Sequence, residues 1–347
     1  MEKGTVSVAF VAPLLAAVSR AGFNPDELLG QIGVAPDLAT HPQARLPAAT
    51  YAMLLRLVAQ LLDDEFFGQD SRRMKPGAFA MLCHAVIGCR RLDRALKRTL
   101  QFYALHLDDL AASLERDGAL ALITLRPTDP DRPAGIFAQE TLLMFVHRLA
   151  CWLVNRRLPI RALRLAYPAP PHRDEYALLF CPDPLFDAPA TALALDAAAL
   201  ALPVVRGPAA LAGFLAVAPE NLLVQYKDGS SLTVRILRQL ESCPPADWPG
   251  FDDLARALNA SASTLRRRLE SEGQSYQGLK DRLRRDRAIT LLGTTRLSVM
   301  EIGAELGFAE PSAFHRAFKK WTGTNPGDYR RRAGDGPGLC PAAASPA

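Results

Sequence analysis

Apolar side chains recur at helical spacing near the carboxyl end of the chain, in residues 297–331. Ser298 is suited to cap a helix, and Glu301 three residues later completes a capping box. Gly307 follows directly after the helix and tolerates the left-handed backbone that ends one. The predicted inner face of this helix consists of Val299, Ile302, Leu306 and Phe308.

A second helix is predicted to begin at Pro311 or Ser312 and to end at Gly323, before a turn at Asn325-Pro326. Its inner face is formed by Phe314, Ala317, Phe318 and Trp321. Its outer face carries His315, Arg316, Lys319 and Lys320. Two short helices with a basic outer face on the second are typical of a helix-turn-helix, whose polar side chains reach base edges and phosphates.

This stretch resembles the C-terminal signature of the AraC/XylS family of transcription regulators. The matching positions are Ile302, Gly303, Gly307, Phe308, Ser312, Phe314, Arg316, Phe318, Lys319, Gly323, Pro326, Tyr329 and Arg330. Gly303 stands where the family usually has alanine, and Pro311 is an unusual start for the second helix. Neither departure touches the polar face. The resemblance implies a sequence-specific DNA-binding protein that regulates transcription.

A second helix-turn-helix is predicted upstream, after a helix at residues 232–241. Its helices are expected at 251–258 and 262–272, with Leu265 and Leu269 inward on the latter. A linker helix at 276–292 follows. Leu265 and Phe314 are 49 residues apart. A linker of about 18 residues spans roughly 27 Å, so the two units are predicted to reach major grooves about 34 Å apart.

Ten exposed positions on the two outer faces are the candidate DNA contacts. Base contacts are predicted for Ser263, Arg266, Arg267, Glu270, Ser312, His315 and Arg316, and phosphate contacts for Arg268, Lys319 and Lys320. Each has a simpler alternative. The arginine run can be a solvated helix face, the histidine a surface residue, and the glutamate a partner in a salt bridge on its own helix.

The preceding part of the chain mixes helices and strands. Asp117-Gly118 is a two-residue hairpin signal, and residues 160–166 and 193–195 have the pattern of strands. A long apolar helix is predicted at 136–154, and we expect an α+β region followed by an all-α C-terminal region with two helix-turn-helix units joined by the linker helix. The order of the strands does not follow from the sequence.

Residues 15–205 resemble, more loosely, the arabinose-binding-like N-terminal domain found in one AraC branch, the branch that contains regulators of ornithine utilisation. The positions that carry this resemblance include Phe67-Gly68, Arg73, Leu82, Leu92, Tyr176, Phe180 and Phe186. It implies a domain that senses a small molecule or mediates dimer contacts, without making arabinose the ligand. Helices 78–87 and 136–154 either line an effector pocket or are core, so effector-binding residues stay unassigned.

The basic charge is concentrated in the C-terminal part. Among 347 residues the net charge is +5, and residues 235–333 hold 18 Lys and Arg against 12 Asp and Glu, while residues 1–234 hold 23 of each. This distribution favours a polyanionic partner for the C-terminal part alone. With 49% apolar and 22% charged residues, the composition is that of a folded protein of two or three domains.

Cysteine and histidine spacing indicates neither a disulfide framework nor a metal site, and no cofactor motif occurs. Reduced thiols and a cytoplasmic location are expected. The apolar segment 6–18 is interpreted as an amphipathic helix and not as a signal peptide, and no run is long enough to span a membrane.

The sequence therefore predicts four regions: a regulatory domain at 1–208, a connecting helix and hinge at 209–230, a DNA-binding domain at 231–333, and a disordered tail at 334–347. The expected partners are promoter DNA, RNA polymerase, a small-molecule effector and a second copy of the chain. Two alternatives stay open: a ligand-independent architectural DNA-binding protein, and a DNA-targeted enzyme of the DNA-repair methyltransferase kind. The enzyme would need a reactive cysteine cluster that the spacing does not supply.

Overall fold

The computed structural model describes residues 5–36, 44–181, 183–219, 222, 232–271 and 274–334. The chain forms two compact units. One consists of Met1–Leu54, Gln239–Ala262 and Tyr276–Ala347, and the other of Leu55–Arg238 and Ser263–Ser275. The predicted hinge at 227–230 and nearly all of the predicted disordered tail lie outside the described residues.

The first unit combines the amino-terminal segment with most of the C-terminal helices. Its elements are β1 Thr5–Ser7, α1 Ala12–Arg20, α2 Pro25–Gln31, β2 Arg45–Pro47, the start of α3 Ala48–Leu62, the end of α9 Leu232–Glu241, α10 Phe251–Ala257, α12 Tyr276–Thr294, α13 Val299–Glu305, α14 Pro311–Thr322 and α15 Pro326–Gly334. Strands β1 and β2 pair antiparallel. A 3-10 turn at Val8–Phe10 precedes α1, so the apolar segment 6–18 is a short strand, a turn and a helix.

The second unit contains a four-stranded antiparallel sheet and the helices around it. Its elements are α4 Ala78–Ile87, α5 Leu92–His106, β3 Leu110–Asp117, β4 Leu120–Pro127, α6 Ile136–Leu153, β5 Ala162–Arg164, α7 Tyr176–Leu179, β6 Thr191–Asp196, α8 Pro208–Ala216 and α11 Ala262–Ser271. The strand order is β3-β4-β6-β5. The expected division into a region with sheets and an all-helical C-terminal region is confirmed.

The turn of the β3–β4 hairpin lies one residue closer to the C-terminus than predicted. Asp117 pairs with Leu120, which leaves Gly118 and Ala119 as the turn. Gly118 has a φ of +56°, a conformation that glycine adopts without the steric penalty of a Cβ atom. The strand predicted at 160–166 is shorter than expected, because only Ala162–Arg164 pairs with β6.

A buried aspartate organises the loop between α3 and α4. Asp64 is 1% exposed, and its carboxylate accepts hydrogen bonds from the backbone N–H groups of Phe66 (2.9 Å), Gly68 (2.7 Å) and Met74 (2.8 Å). The loop backbone is otherwise irregular, with φ values of +61° at Phe67 and +68° at Gly68. One carboxylate therefore takes the place of the backbone partners that a helix or strand would provide.

We expect Asp64→Asn to destabilise the protein by about 2 to 4 kcal/mol, because an amide group cannot accept all three hydrogen bonds and leaves a buried N–H without a partner. Urea denaturation measures the change. The control is Asp63→Asn at the neighbouring position, whose exposed carboxylate pairs with Lys75 at 3.4 Å and contributes little. Equal stability of the two variants would contradict this role of Asp64.

Candidate functional site

The predicted capping box at the start of α13 is present. The Ser298 hydroxyl accepts a hydrogen bond from the Glu301 N–H (3.2 Å), and the Ser298 N–H donates to Glu301 Oε2 (2.6 Å). These hydrogen bonds lower the pKa of the Glu301 carboxyl. Ile302 and Leu306 are buried as predicted, whereas Val299 and Phe308 are only partly buried. The helix start is thus determined locally.

Gly307 forms the turn between α13 and α14 and has a second role that the sequence did not indicate. Its φ is +76°, as expected at a helix end. A Cβ atom at this position would lie 3.0 Å from the Ala246 nitrogen and 3.0 Å from the Pro245 carbonyl carbon. The turn therefore packs directly on the loop before α10, and only glycine fits.

Helix α14 has the two faces that the pattern predicts. Phe314 and Phe318 are fully buried, and their rings lie 5.7 Å apart. Phe318 also packs edge-on against Tyr329 of α15 at 5.5 Å. Trp321 is only partly buried. The aromatic pairs hold α14 against its neighbours and determine which of its side chains face outward.

The outer face of α14 is polar and basic. All five predicted contact residues on this helix are exposed: Ser312, His315, Arg316, Lys319 and Lys320. Ser312 donates a hydrogen bond to Glu310 at 3.2 Å. The helix ends at Gly323, whose φ is +74°. One arginine, two lysines and one histidine thus lie within two turns of the helix and form a surface that can bind a polyanion.

Helix α11 has the same kind of outer face. Leu265 and Leu269 are buried. The five predicted contact residues on this helix, Ser263, Arg266, Arg267, Arg268 and Glu270, are exposed. In the first unit, α10 buries Leu254 and Ala255 and is followed by a turn in which Asn259 has a φ of +52°. The predicted inward and outward positions of α11 thus agree with the described burial.

Arg284 of α12 is a structural residue that the sequence did not single out. Its Nε donates to the Leu306 carbonyl oxygen at 3.1 Å. Its guanidinium lies 5.0 Å from the ring centroid of Trp248 and 5.4 Å from that of Phe308. One cation thereby joins the linker helix to the turn after α13 and to the loop before α10. A single arginine among several on a helix gives no sequence signal for this role.

The amino-terminal strands contact the C-terminal helices within the first unit. Thr5 donates to Asp286 at 2.7 Å, and the buried Arg45 donates to the Thr5 hydroxyl (2.8 Å) and carbonyl (3.0 Å) oxygens. The Tyr329 hydroxyl donates to the Arg45 carbonyl oxygen. Sequence reasoning missed these contacts, because the Thr5–Asp286 and Tyr329–Arg45 contacts join residues more than 280 positions apart and the Arg45–Thr5 contacts join residues 40 positions apart.

Neither a metal cluster nor a disulfide is found in the described part of the chain. No group of three or more metal-ligating side chains occurs there, and the cysteines at 83, 89, 151, 181 and 243 are all unbridged. No helix among the described residues has both the length and the apolar character to cross a membrane.

A helix-turn-helix whose second helix exposes a basic face is typical of DNA-binding regulators. Comparison with known proteins identifies the family. Residues 22–204 match the arabinose-binding domain of AraC transcription regulators, and residues 254–332 match a helix-turn-helix domain. The chain belongs to the AraC family of transcription regulators, with an N-terminal ligand-binding domain and a DNA-binding domain.

Several regulators are similar to this chain. The ornithine utilization regulator of Pseudomonas aeruginosa is 31% identical over 94% of this chain and 96% of its own. The regulator VqsM of the same organism is 35% identical over 35% of this chain and 38% of its own. The solved structure of the P. aeruginosa regulator CdpR is 22% identical, covers 93% of this chain and 98% of that chain, and has a TM-score of 0.29.

We expect Gly307→Ala to destabilise the protein by at least about 2 kcal/mol, because a left-handed backbone penalises a Cβ atom and the backbone at residues 245–246 cannot yield. Chemical denaturation measures the loss. Gly293→Ala is the matched control, since no atom lies within 4 Å of its Cβ position on α12 and alanine favours a helix by about 1 kcal/mol. A neutral Gly307→Ala would contradict the close approach.

Proposed function

We propose that this regulator binds promoter DNA through two helix-turn-helix units, α10–α11 and α13–α14, and that its N-terminal domain senses a small metabolite. The observation that carries the proposal is the shared design of α11 and α14. Each buries two large apolar side chains and exposes five polar or charged residues that include at least one arginine. Helices with this design present guanidinium groups to the major groove.

The exposed side chains divide into two roles by their chemistry. Arg266, Arg267 and Arg316 present planar guanidinium groups that bind guanine through two hydrogen bonds. The short polar groups Ser263, Ser312 and His315 contact bases nearby, and Glu270 accepts from cytosine. The positive charges of Arg268, Lys319 and Lys320 contact phosphates, which adds affinity but no sequence information.

The length of the linker helix supports contacts one turn of B-DNA apart. Helix α12 has 19 residues, which corresponds to a length of about 28 Å. With the widths of the flanking helices, this length suits two recognition helices about 34 Å apart on bound DNA, one helical turn. We therefore assign residues 231–333 to DNA binding, residues 209–230 to the connection, and residues 1–208 to regulation.

Regulation is proposed to act by a population shift. Effector binding favours the arrangement of the chain, or of a homodimer, in which both units engage the promoter and RNA polymerase is contacted. The similar regulator of ornithine utilization supports a metabolite as the effector. A ligand-independent architectural DNA-binding protein is the alternative, and it predicts binding that is strongly salt-dependent but weakly sequence-dependent.

Selection of genomic DNA fragments by the purified full-length protein at about 150 mM salt separates the two alternatives, since this salt weakens purely electrostatic binding. We expect discrete sites that contain two conserved blocks about one helical turn apart. Shifting one block by half a turn should abolish binding, because the two recognition helices then face opposite sides of the duplex. Fragments without a common motif would favour the architectural protein.

We expect Arg266→Ala and Arg316→Ala each to lower affinity for the selected site by about 1 to 3 kcal/mol and to relax the preference at one base position. Lys320→Ala should instead weaken specific and random DNA alike and reduce the salt dependence by about one phosphate contact. Arg331→Ala is the control, because this exposed arginine on α15 pairs with Asp328. Fluorescence anisotropy titrations distinguish the outcomes, and unchanged specific affinity in both arginine variants would rule out base contact.

A further inference from the structure

Helix α6 lies inside the second unit and carries ionisable side chains there. Of its 18 residues, 15 are buried, and these include Glu140, His147 and Arg148. A helix that is buried all round normally consists of apolar residues. Each of the buried ionisable groups therefore needs either a partner in the protein or a functional reason to be there.

Glu140 has its partners within the protein. The Tyr176 hydroxyl donates to its carboxylate, and His172 Nε2 lies 3.3 Å from the same oxygen. Tyr176 is in turn 3.2 Å from the Tyr167 hydroxyl. His147 is satisfied as well, because its Nε2 lies 2.9 Å from the Leu158 carbonyl oxygen. Burial lowers the pKa of His147 to about 3, so this side chain is neutral.

Arg148 is the exception. It is 3% exposed, and one terminal nitrogen donates to the Leu179 carbonyl oxygen at 2.6 Å. Its Nε is buried and has no hydrogen-bond partner among the described residues. No carboxylate within the described part of the chain forms an ion pair with it. Burial lowers its pKa to about 10, which leaves it charged at neutral pH.

Among the described residues, the charged side chain that acts on Arg148 is a second cation, and the other ionisable group near it is the Cys151 thiol. Arg157 is near enough to lower the pKa of both His147 and Arg148. Burial raises the pKa of the Cys151 thiol, so no thiolate serves as counter-ion. Within the described residues this buried cation therefore has no counter-ion. An uncompensated buried charge is strongly destabilising, and such perturbed groups concentrate at functional sites.

We propose that Arg148 binds a carboxylate group of the effector. This assignment rests on the proposed function, in which this domain senses a small molecule. The guanidinium Nε and a terminal nitrogen form a fork that matches the two oxygens of a carboxylate.

Helix α7 has to move for the carboxylate to reach Arg148. The Leu179 carbonyl at the end of this four-residue helix occupies one arm of the guanidinium, and the other arm is inaccessible to solvent. A carboxylate that takes both positions releases Leu179. Ligand binding therefore requires displacement of α7. The domain then has two states, one without ligand and one with ligand bound and α7 displaced.

The first test measures thermal denaturation of the full-length protein in the presence of candidate ligands added one at a time. These are the proteinogenic amino acids, L-ornithine and straight-chain monocarboxylates from propionate to octanoate. Inorganic phosphate and sugar phosphates form a second set. We expect at least one carboxylate to raise the Tm in a saturable manner and its carboxamide to bind at least about tenfold more weakly, because the neutral amide lacks the charge. Stabilisation by phosphates only, equal binding of the carboxamide, or no stabilising carboxylate would each overturn the proposal.

The second test uses Arg148→Met, with Arg98→Met as the control. Arg98 also donates to a backbone carbonyl, that of Ala85 at 3.0 Å, but it is exposed. Arg148→Met should lose the response to the carboxylate while its Tm without ligand stays equal to or above that of the unmodified protein, since an apolar side chain removes an uncompensated charge. A large drop in the ligand-free Tm, or an unchanged ligand response, would show that Arg148 is structural.

Failure of this inference is distinguishable from failure of the proposed function. The affinity of the protein for the selected DNA site is measured with and without the stabilising carboxylate. A carboxylate that binds through Arg148 but leaves DNA binding unchanged would confirm the site and contradict its regulatory role. Regulation of DNA binding by a compound without a carboxylate would confirm sensing and overturn the role of Arg148.

Discussion

The geometry of the helix pair α13–α14 depends on one cation, Arg284 of α12. Its guanidinium lies against the rings of Trp248 and Phe308, and its Nε donates a hydrogen bond to the Leu306 carbonyl oxygen. Gly307 packs beside it on the loop at residues 245–246. The turn that precedes α14 is therefore held by the linker helix and by the segment before α10. Since α14 carries the exposed basic face, this support fixes the orientation of that face.

The same unit connects the amino-terminal strands to α14. Arg45 donates a hydrogen bond to the Thr5 hydroxyl, and the Tyr329 hydroxyl donates one to the Arg45 carbonyl oxygen. The Tyr329 ring packs on Phe318 of α14. A shift of the strands at residues 5–7 and 45–47 would therefore disturb a residue that is in direct contact with the core of α14.

The interior of the second unit contains ionisable groups on a single helix. Glu140, His147 and Arg148 of α6 are buried there, among apolar and aromatic side chains. The carboxylate and the imidazole have partners within the protein, and the guanidinium has only one backbone carbonyl among the described residues. A buried polar group that is only partly satisfied costs stability, which sets Arg148 apart from the apolar side chains around it.

The sequence by itself determined the local features. The capping box at Ser298, the left-handed turns at Gly307 and Gly323, the inward residues of α11 and α14 and their exposed arginines all follow from spacing within one element, where neighbouring residues set the outcome. Only the tertiary structure decided the strand order, the contacts of Arg284, the close approach at Gly307, the pairing of Arg45 with Thr5 and Tyr329, and the burial of Arg148 with no counter-ion among the described residues. Each of these joins residues far apart in the chain, and periodicity reports which face of an element is buried but not which distant residue covers it.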